Sequence, residues 1–130
     1  MKKKIIIPIV ILLVLVICGL TWFILNNNKI VSTITLDINP SIELQLNKKN
    51  EVVNVIPLND DAKIIVDDSL KGLDLNNALD KITHNVIDKG FVKDFTTIII
   101  HAEGINNKEV ETVLSKSFEE RNIQTNIIVV

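Results

Sequence analysis

The sequence predicts an α+β protein in which a single N-terminal transmembrane helix is followed by a small mixed β-sheet packed by two or three helices. Three observations lead to this prediction. Residues 5–25 are apolar and uncharged, several later segments alternate apolar and polar residues as strands do, and two others repeat apolar residues at helical spacing. The predicted order after the membrane helix is βββ(α)αβαβ, which is typical of helices layered on one mixed sheet.

The length and composition leave room for one small domain outside a membrane. The chain has 130 residues, 47% of them hydrophobic, and its mean hydropathy of +0.33 is too high for a disordered chain. Cys18 is the single cysteine, so neither an internal disulfide nor a cysteine-based zinc site can hold the fold. There are 14 basic and 16 acidic residues, and three of the basic ones form the Lys2–Lys4 cluster. The remainder is acidic, which argues against nucleic acid as a partner.

Residues 5–25 form the predicted transmembrane helix. At about 1.5 Å per residue they reach roughly 31 Å, close to the thickness of the hydrocarbon core of a bilayer. A cleaved signal peptide is the alternative, but the apolar run is longer than an h-region and no small-residue cleavage site follows it. The Lys2–Lys4 cluster precedes the helix and only Lys29 closely follows it, so the positive-inside rule predicts a cytoplasmic N-terminus.

This orientation predicts a single-pass protein of the cell membrane with an extracytoplasmic C-terminal domain. The predicted parts are a cytoplasmic basic stub (1–4), the transmembrane helix (5–25), a polar linker (26–30) and an extracytoplasmic α+β domain (31–130). Membrane lipid is therefore an expected partner.

Three strands are predicted at the start of the outer domain. Apolar and polar residues alternate with period two over 33–38 and 41–47. A third apolar segment covers 52–58 and ends near Pro57, because proline cannot donate to a ladder. The polar residues 48–51 have the composition of a hairpin turn between the second and third strands.

Helices and strands alternate in the rest of the domain. In chain order, the predicted elements are a short helix at 60–67, a helix from Asp74 to Gly90, a strand at 96–102, a helix after Asn106 and a strand at 127–130. Asp74 and Gly90 are residue types that begin and end helices, and Asn106 and Glu109 have the spacing of a capping box. Residues 96–102 are apolar enough on both faces for a central strand.

Few residues of the outer domain suit catalysis, a metal or a cofactor. Its two histidines, His84 and His101, fall on different predicted elements, and two lone histidines do not make a metal site. The acidic pairs Asp60-Asp61 and Asp67-Asp68 lack the ligand spacing and central glycine of a calcium loop, so they are interpreted as helix caps and solvated surface. We therefore expect no cofactor, no metal and no turnover of an external substrate.

The most distinctive local feature is the Asn39-Pro40 pair between two predicted strands. A tight turn is the simple interpretation, because both residue types favour turns and proline biases Asn39 toward extended conformations. The second interpretation is chemical. The side-chain amide nitrogen of Asn39 can attack its own carbonyl carbon, which closes a succinimide and releases Pro40 as an amine. The competing attack on the side chain by the next backbone nitrogen is blocked, because the prolyl nitrogen carries no hydrogen.

Self-cleavage at an ordinary amide is very slow, so it requires a distorted Asn39-Pro40 bond. Full rotation about a peptide bond removes about 18–20 kcal/mol of stabilisation, and about 1.4 kcal/mol changes a rate tenfold. Asp37 and Ser41 flank the pair and are candidates for carrying a proton to the prolyl nitrogen. The candidate site therefore consists of Asn39, Pro40, Asp37 and Ser41.

The segment Asp37-Ile38-Asn39-Pro40-Ser41-Ile42-Glu43, with the later segments 58–61 and 72–75, resembles the extracytoplasmic middle domain of RsgI-type transmembrane anti-sigma factors. The resemblance covers most of residues 31–130 and is most specific at the Asp-x-Asn-Pro-Ser-Ile-Glu core. It implies that the Asn39-Pro40 bond cleaves itself and that the sheet holds the two pieces together. It further implies that separation of the pieces leads to intramembrane proteolysis and release of a sigma factor.

The sequence departs from such factors at both ends. Only residues 1–4 precede the membrane helix, so direct sigma-factor binding by this chain is not expected, and nothing resembling a sensor follows Val130. The chain is interpreted either as a fragment or shortened relative of a longer anti-sigma factor, or as a stand-alone anchored domain. Its expected protein partners are an intramembrane protease and envelope or signalling proteins. The alternative function is an uncleaved, membrane-tethered interaction module that binds another envelope protein through a sheet edge.

Overall fold

The fold is given by a computed structural model that describes residues 2–130; Met1, the first residue of the predicted cytoplasmic stub, lies outside them. Helix α1 (Lys2–Asn27) contains the whole predicted membrane segment and extends past both of its ends. It has no buried residue, and it is the one helix within residues 2–130 that is long and apolar enough to cross a membrane. Its apolar surface on all sides fits a lipid environment and suggests membrane anchoring.

A five-stranded mixed sheet follows α1. The strands are β1 (Ser32–Asp37), β2 (Ser41–Leu46), β3 (Val52–Pro57), β4 (Thr96–Glu103) and β5 (Thr125–Val129). Their spatial order is β3-β2-β1-β4-β5, and every neighbouring pair is antiparallel except β4 and β5. The strand connected to α1 therefore lies in the middle of the sheet and is paired on both sides.

The helices follow β3 and separate the last two strands. They are α2 (Ala62–Ile65), a 3-10 helix (Asp68–Leu70), α3 (Leu75–Asp88) and α4 (Asn107–Glu119). The side chain of Asp74 accepts a hydrogen bond from the Asn77 backbone N–H at 2.9 Å, as expected of an N-cap. Gly90 follows the end of α3 with a φ of +80°, the left-handed conformation that favours glycine after a helix.

One face of the sheet and the inner sides of the helices form an apolar core. Alternate strand residues are fully buried on this face, among them Ile34, Leu36, Ile42, Leu44, Ile98 and Ile100. Helix residues complete the core, among them Leu79, Ile82, Leu114 and Phe118. The opposite face of the sheet is open and mainly polar, with Thr33, Thr35, Glu43, Gln45 and His101. The fold is thus the α+β arrangement that the sequence predicts.

Three local predictions differ from the structure. The helix predicted at 60–67 is limited to α2, because so short a segment gains little from helix propagation. Strand β4 is interior, but helices cover only one of its faces and Ile99 lies on the open face. The capping box at α4 is incomplete: the side chain of Asn106 accepts from the Lys108 N–H at 2.8 Å, not from Glu109.

Candidate functional site

The candidate site is the turn between β1 and β2, at the end of the sheet away from α1. Asp37 and Ser41 pair across the two strands, and the Ile38 N–H donates to the Pro40 carbonyl oxygen at 2.9 Å. Pro40 has no N–H and cannot return this bond. The chain reverses direction over Ile38, Asn39 and Pro40, which lie between the ends of the two strands.

Asn39 has a left-handed backbone with a φ of +62°. The expectation of an extended Asn39, based on the preference of residues before proline, is therefore wrong. The tight turn over residues 38–40 outweighs that preference, and asparagine tolerates the left-handed region better than most residues with a side chain. A backbone held in this region stores about 1–3 kcal/mol of strain.

A left-handed asparagine that is followed by proline occurs once among residues 2–130, at Asn39. Asn50 and Asn122 also have positive φ values, of 57° and 59°, but Glu51 and Ile123 follow them. Asn39 is thus the only described asparagine that joins a left-handed backbone to a prolyl nitrogen. Asn50 and Asn122 therefore supply matched comparisons for any chemistry assigned to Asn39.

The middle residue of the turn is exposed, and the residues before and after it are buried. Ile38 is 4% exposed and Pro40 is also buried, whereas Asn39 is exposed. The two buried neighbours hold the turn against the body of the domain. The carboxamide of Asn39 is at the surface, one residue from a fixed prolyl ring.

Asp37 and Ser41, the two candidates for proton transfer, contact each other. The Ser41 hydroxyl donates to Asp37 Oδ1 at 2.9 Å. This bond joins two of the four residues that the sequence singled out, and the other two, Asn39 and Pro40, lie between them in the turn. The Asn39-Pro40 peptide bond that they flank is trans.

Sequence reasoning missed Asn59, which reaches the turn from the loop after β3. Asn59 Oδ1 accepts hydrogen bonds from the Ser41 N–H at 3.3 Å and from the Ala62 N–H at 3.0 Å. Next to it, the Leu58 N–H donates to the Ser41 carbonyl oxygen at 2.9 Å. Asn59 and Ser41 lie 18 positions apart, so no local sequence pattern signals the contact.

His101 lies on the open face of the sheet, away from the turn. Its Nδ1 is 2.9 Å from the Val130 backbone oxygen and its Nε2 is 3.2 Å from Glu103 Oε1. These acceptors, the Val130 backbone oxygen first and the Glu103 carboxylate second, raise the pKa of His101 above its usual value. The imidazole thus links β4 to the end of β5, whereas His84 is exposed on α3.

The acidic pairs lie at element ends on the surface. Asp67 begins the 3-10 helix and accepts from the Ser69 N–H at 2.8 Å; bonds from Ser69 lower the pKa of Asp67. Asp60 forms an exposed ion pair with Lys63 at 3.2 Å. Within residues 2–130 no group of three or more His, Cys, Asp or Glu side chains is placed to hold a metal ion.

The sequence of the chain is similar to those of known anti-sigma factors. Residues 31–130 match a family model described as "Anti-sigma factor RsgI-like central domain". The chain is 28% identical to anti-sigma-I factor RsgI7 of Acetivibrio thermocellus over 88% of this chain and 23% of that protein. It is 31% identical to RsgI5 of the same organism, over 90% of this chain and 25% of that protein. It is 36% identical to RsgI of Bacillus subtilis, over 58% of this chain and 20% of that protein.

The chain thus spans a quarter or less of the length of these three curated relatives. The residues that match the family model, 31–130, include the sheet and the turn described above.

Proposed function

The chain belongs to the family of anti-sigma factors with an RsgI-like central domain, and on that premise we propose that it is the membrane-anchored, extracytoplasmic domain of an anti-sigma-factor-like signalling protein that cleaves itself between Asn39 and Pro40. Helix α1 crosses the membrane with its N-terminus in the cytoplasm. The two pieces remain associated after cleavage.

The proposed reaction is a rearrangement within Asn39. The side-chain nitrogen Nδ2 attacks the Asn39 carbonyl carbon, the bond from that carbon to the Pro40 nitrogen breaks, and a proton passes from Nδ2 to the prolyl nitrogen. The upstream piece ends in a succinimide and the downstream piece begins with a prolyl amine. No water is consumed, so the masses of the pieces add up to that of the intact chain.

The observation that carries the proposal is the left-handed φ of +62° at a residue followed by proline. This φ stores strain in the backbone of Asn39, next to the peptide bond, and each 1.4 kcal/mol of it that is released as the bond breaks raises the rate about tenfold. The hydrogen-bonded pair of Asp37 and Ser41 lies beside the bond and is suited to moving the proton. The buried Pro40 fixes the leaving nitrogen.

Association of the pieces after cleavage follows from the position of β1. The upstream piece retains β1, which is paired with β2 over six residues and with β4 over five. Separation of the pieces removes this strand from the centre of the sheet. An intramembrane protease acting on α1 is the proposed next partner, and a sigma factor is the proposed final target of the pathway.

A gel assay tests the proposal directly. The full chain is synthesised into lipid nanodiscs and sampled over time on a denaturing gel. Wild type is expected to split into two bands, whereas Asn39→Ala, which lacks the attacking amide, stays intact. Asn122→Ala removes an asparagine of the same backbone conformation and is expected to cleave like wild type. Identical single bands for wild type and Asn39→Ala rule out self-cleavage.

A second variant tests the chemistry. Pro40→Ala restores a backbone N–H at position 40, which can attack the Asn39 side chain. This variant is expected to deamidate at position 39 instead of breaking the chain, and peptide mapping distinguishes the two products. Chain cleavage at an unchanged rate in Pro40→Ala argues against the proposed role of the prolyl nitrogen.

An uncleaved interaction module is the second candidate function. Edge strand β5 favours it, because Ile128 and Val129 are 43% and 39% exposed and one edge of this strand is unpaired within the described sheet. Capture of a stable envelope partner by the Asn39→Ala protein supports this alternative. Loss of that capture on substitution of β5 residues assigns the contact to the edge.

A further inference from the structure

The strained turn keeps its conformation only if the surrounding structure holds it there. A left-handed residue before proline relaxes toward an extended backbone when its neighbours are free to move. The hairpin supplies two of the constraints itself, the Ile38 N–H bond to the Pro40 carbonyl and the Ser41 hydroxyl bond to Asp37. Both lie within the segment that would relax, so they can move with it.

Burial of Ile38 and Pro40 holds the turn against the domain, and hydrogen bonds from outside the hairpin come from the loop after β3. The Leu58 N–H donates to the Ser41 carbonyl oxygen at 2.9 Å, which extends the pairing of β2 with β3 by one residue. The Ser41 N–H donates to Asn59 Oδ1 at 3.3 Å. Ser41 is the residue directly after Pro40, so these two bonds fix the chain immediately beyond the leaving nitrogen.

Asn59 is itself held in place by a second bond. The same Oδ1 accepts from the Ala62 N–H at 3.0 Å, at the start of α2. Ala62 is fully buried, so its backbone moves little relative to the core. One amide oxygen therefore links the turn to a buried part of the domain.

We propose that Asn59 is the positioning residue that keeps the Asn39-Pro40 turn in its strained conformation and thereby sets the rate of cleavage. This inference rests on the proposed function. The side-chain oxygen of Asn59 fixes Ser41. Relaxation of Asn39 is then opposed by the body of the domain rather than by the hairpin alone. Asn59 takes no part in bond making or breaking.

The test compares cleavage rate with stability in three variants of the full chain in nanodiscs. Asn59→Leu keeps the side-chain size and removes the acceptor, and we expect it to cleave about tenfold more slowly, the effect of losing one or two hydrogen bonds that act on the reacting conformation. Asn59→Asp retains an oxygen acceptor and is expected to cleave within about threefold of wild type. Tm is measured for each variant by circular dichroism.

Asp74→Ala is the matched control for a purely structural effect. It removes a side-chain acceptor at the start of a helix, as Asn59→Leu does, but at the other end of the domain. We expect it to lower Tm by a similar amount and to leave the cleavage rate unchanged.

The outcomes distinguish failure of the role of Asn59 from failure of the proposed function. If wild type cleaves and Asn59→Leu cleaves equally fast, the role of Asn59 is overturned and self-cleavage stands. If Asp74→Ala slows cleavage as much as Asn59→Leu, the effect is one of stability and the positioning role is also overturned. If wild type does not cleave, the proposed function falls and the role of Asn59 falls with it.

Discussion

At the scale of single residues, Asn39 is the position where two local rules conflict. Proline at the next position favours an extended backbone, whereas the tight turn over residues 38–40 is achieved here with a positive φ at Asn39. Asparagine is among the few residues with a side chain that accept this backbone at modest cost. The same side chain carries the nitrogen that the proposed cleavage uses, so conformation and chemistry both depend on one residue.

The stabilisation contributed by the hydrogen bonds of His101 is expected to depend on pH. A neutral imidazole has one N–H and can donate to only one of its two partners, the Val130 backbone oxygen or the Glu103 carboxylate. The protonated ring donates to both. Because its folded pKa is raised, the stabilisation by His101 is fully present below the unfolded value of about 6.5 and is lost as pH rises through the folded pKa.

The measurement is amide hydrogen exchange of Val130, the residue directly after β5, across this pH range. We expect the protection factor of the Val130 N–H, which donates to the Ile100 carbonyl at 2.9 Å, to fall as pH rises. The His101→Gln protein should show a flat profile over the same range. Equal profiles in the two proteins contradict the role of His101.

At the scale of elements, β1 is the strand on which the sheet depends. Leu36 is fully buried, whereas its neighbour Thr35 lies on the open face. Leu36→Ala leaves a cavity in the core and is expected to lower the free energy of unfolding by about 2–5 kcal/mol. Thr35→Ala, the control in the same strand, should lower it by less than about 1 kcal/mol. Chemical denaturation of the Asn39→Ala protein, in which the chain stays intact under the proposal, measures both.

The two main helices are joined by a polar contact. Asp80 Oδ1 of α3 accepts from Arg121 Nη1 at 2.7 Å and from the Ser117 hydroxyl at 2.8 Å. These donors, Arg121 first, lower the pKa of Asp80. The Asp80 side chain is 49% exposed, so solvent screening limits the contribution of the contact.

The loss of stability on replacement of Asp80 is expected to depend on pH. Asp80→Asn is expected to lower the free energy of unfolding by about 1 kcal/mol at neutral pH. Since the folded pKa is depressed, this contribution is present above the unfolded value of about 3.9 and is lost as pH falls through the folded pKa. Denaturation curves of the two proteins should therefore converge in acid. Asp60→Asn, at an ion pair whose carboxylate is 98% exposed, should show no measurable loss at either pH.

The fold was largely predictable because its signals are local. Alternation along β1 and β2, the N-cap Asp74 and Gly90 after α3 each act within a few residues. The contact of Asn59 with Ser41 was not predictable, since it joins residues that only the folded sheet brings together. The open face of β4 was missed for a related reason: an apolar residue such as Ile99 does not reveal whether a second layer covers it.

At the scale of the whole molecule, the membrane helix and the candidate bond lie at opposite ends of one strand. β1 has six residues and at about 3.3 Å each spans roughly 20 Å. Cleavage at Asn39-Pro40 therefore leaves the membrane piece with one central strand and leaves every other strand and the later helices on the downstream piece. Under the proposed function, signalling across the membrane depends on whether this single strand stays paired.

The orientation of the chain is tested by cysteine labelling. Lys93 is exposed in the domain and Lys3 lies in the basic cluster before the apolar run. With a membrane-impermeant maleimide on intact cells, we expect Lys93→Cys to be labelled and Lys3→Cys to be labelled only after permeabilisation. The native Cys18, within α1, serves as the unlabelled background. The reverse pattern contradicts the proposed orientation.

Intact-mass spectrometry of the full chain, purified in nanodiscs and then denatured, tests the central claim most directly. We expect two species, one covering residues 1–39 and ending in a succinimide, one water lighter than the free acid, and one covering residues 40–130 with a prolyl amine. Their masses should sum to that of the unbroken chain, and they should elute together before denaturation. A single species with the mass of residues 1–130 contradicts self-cleavage at this turn.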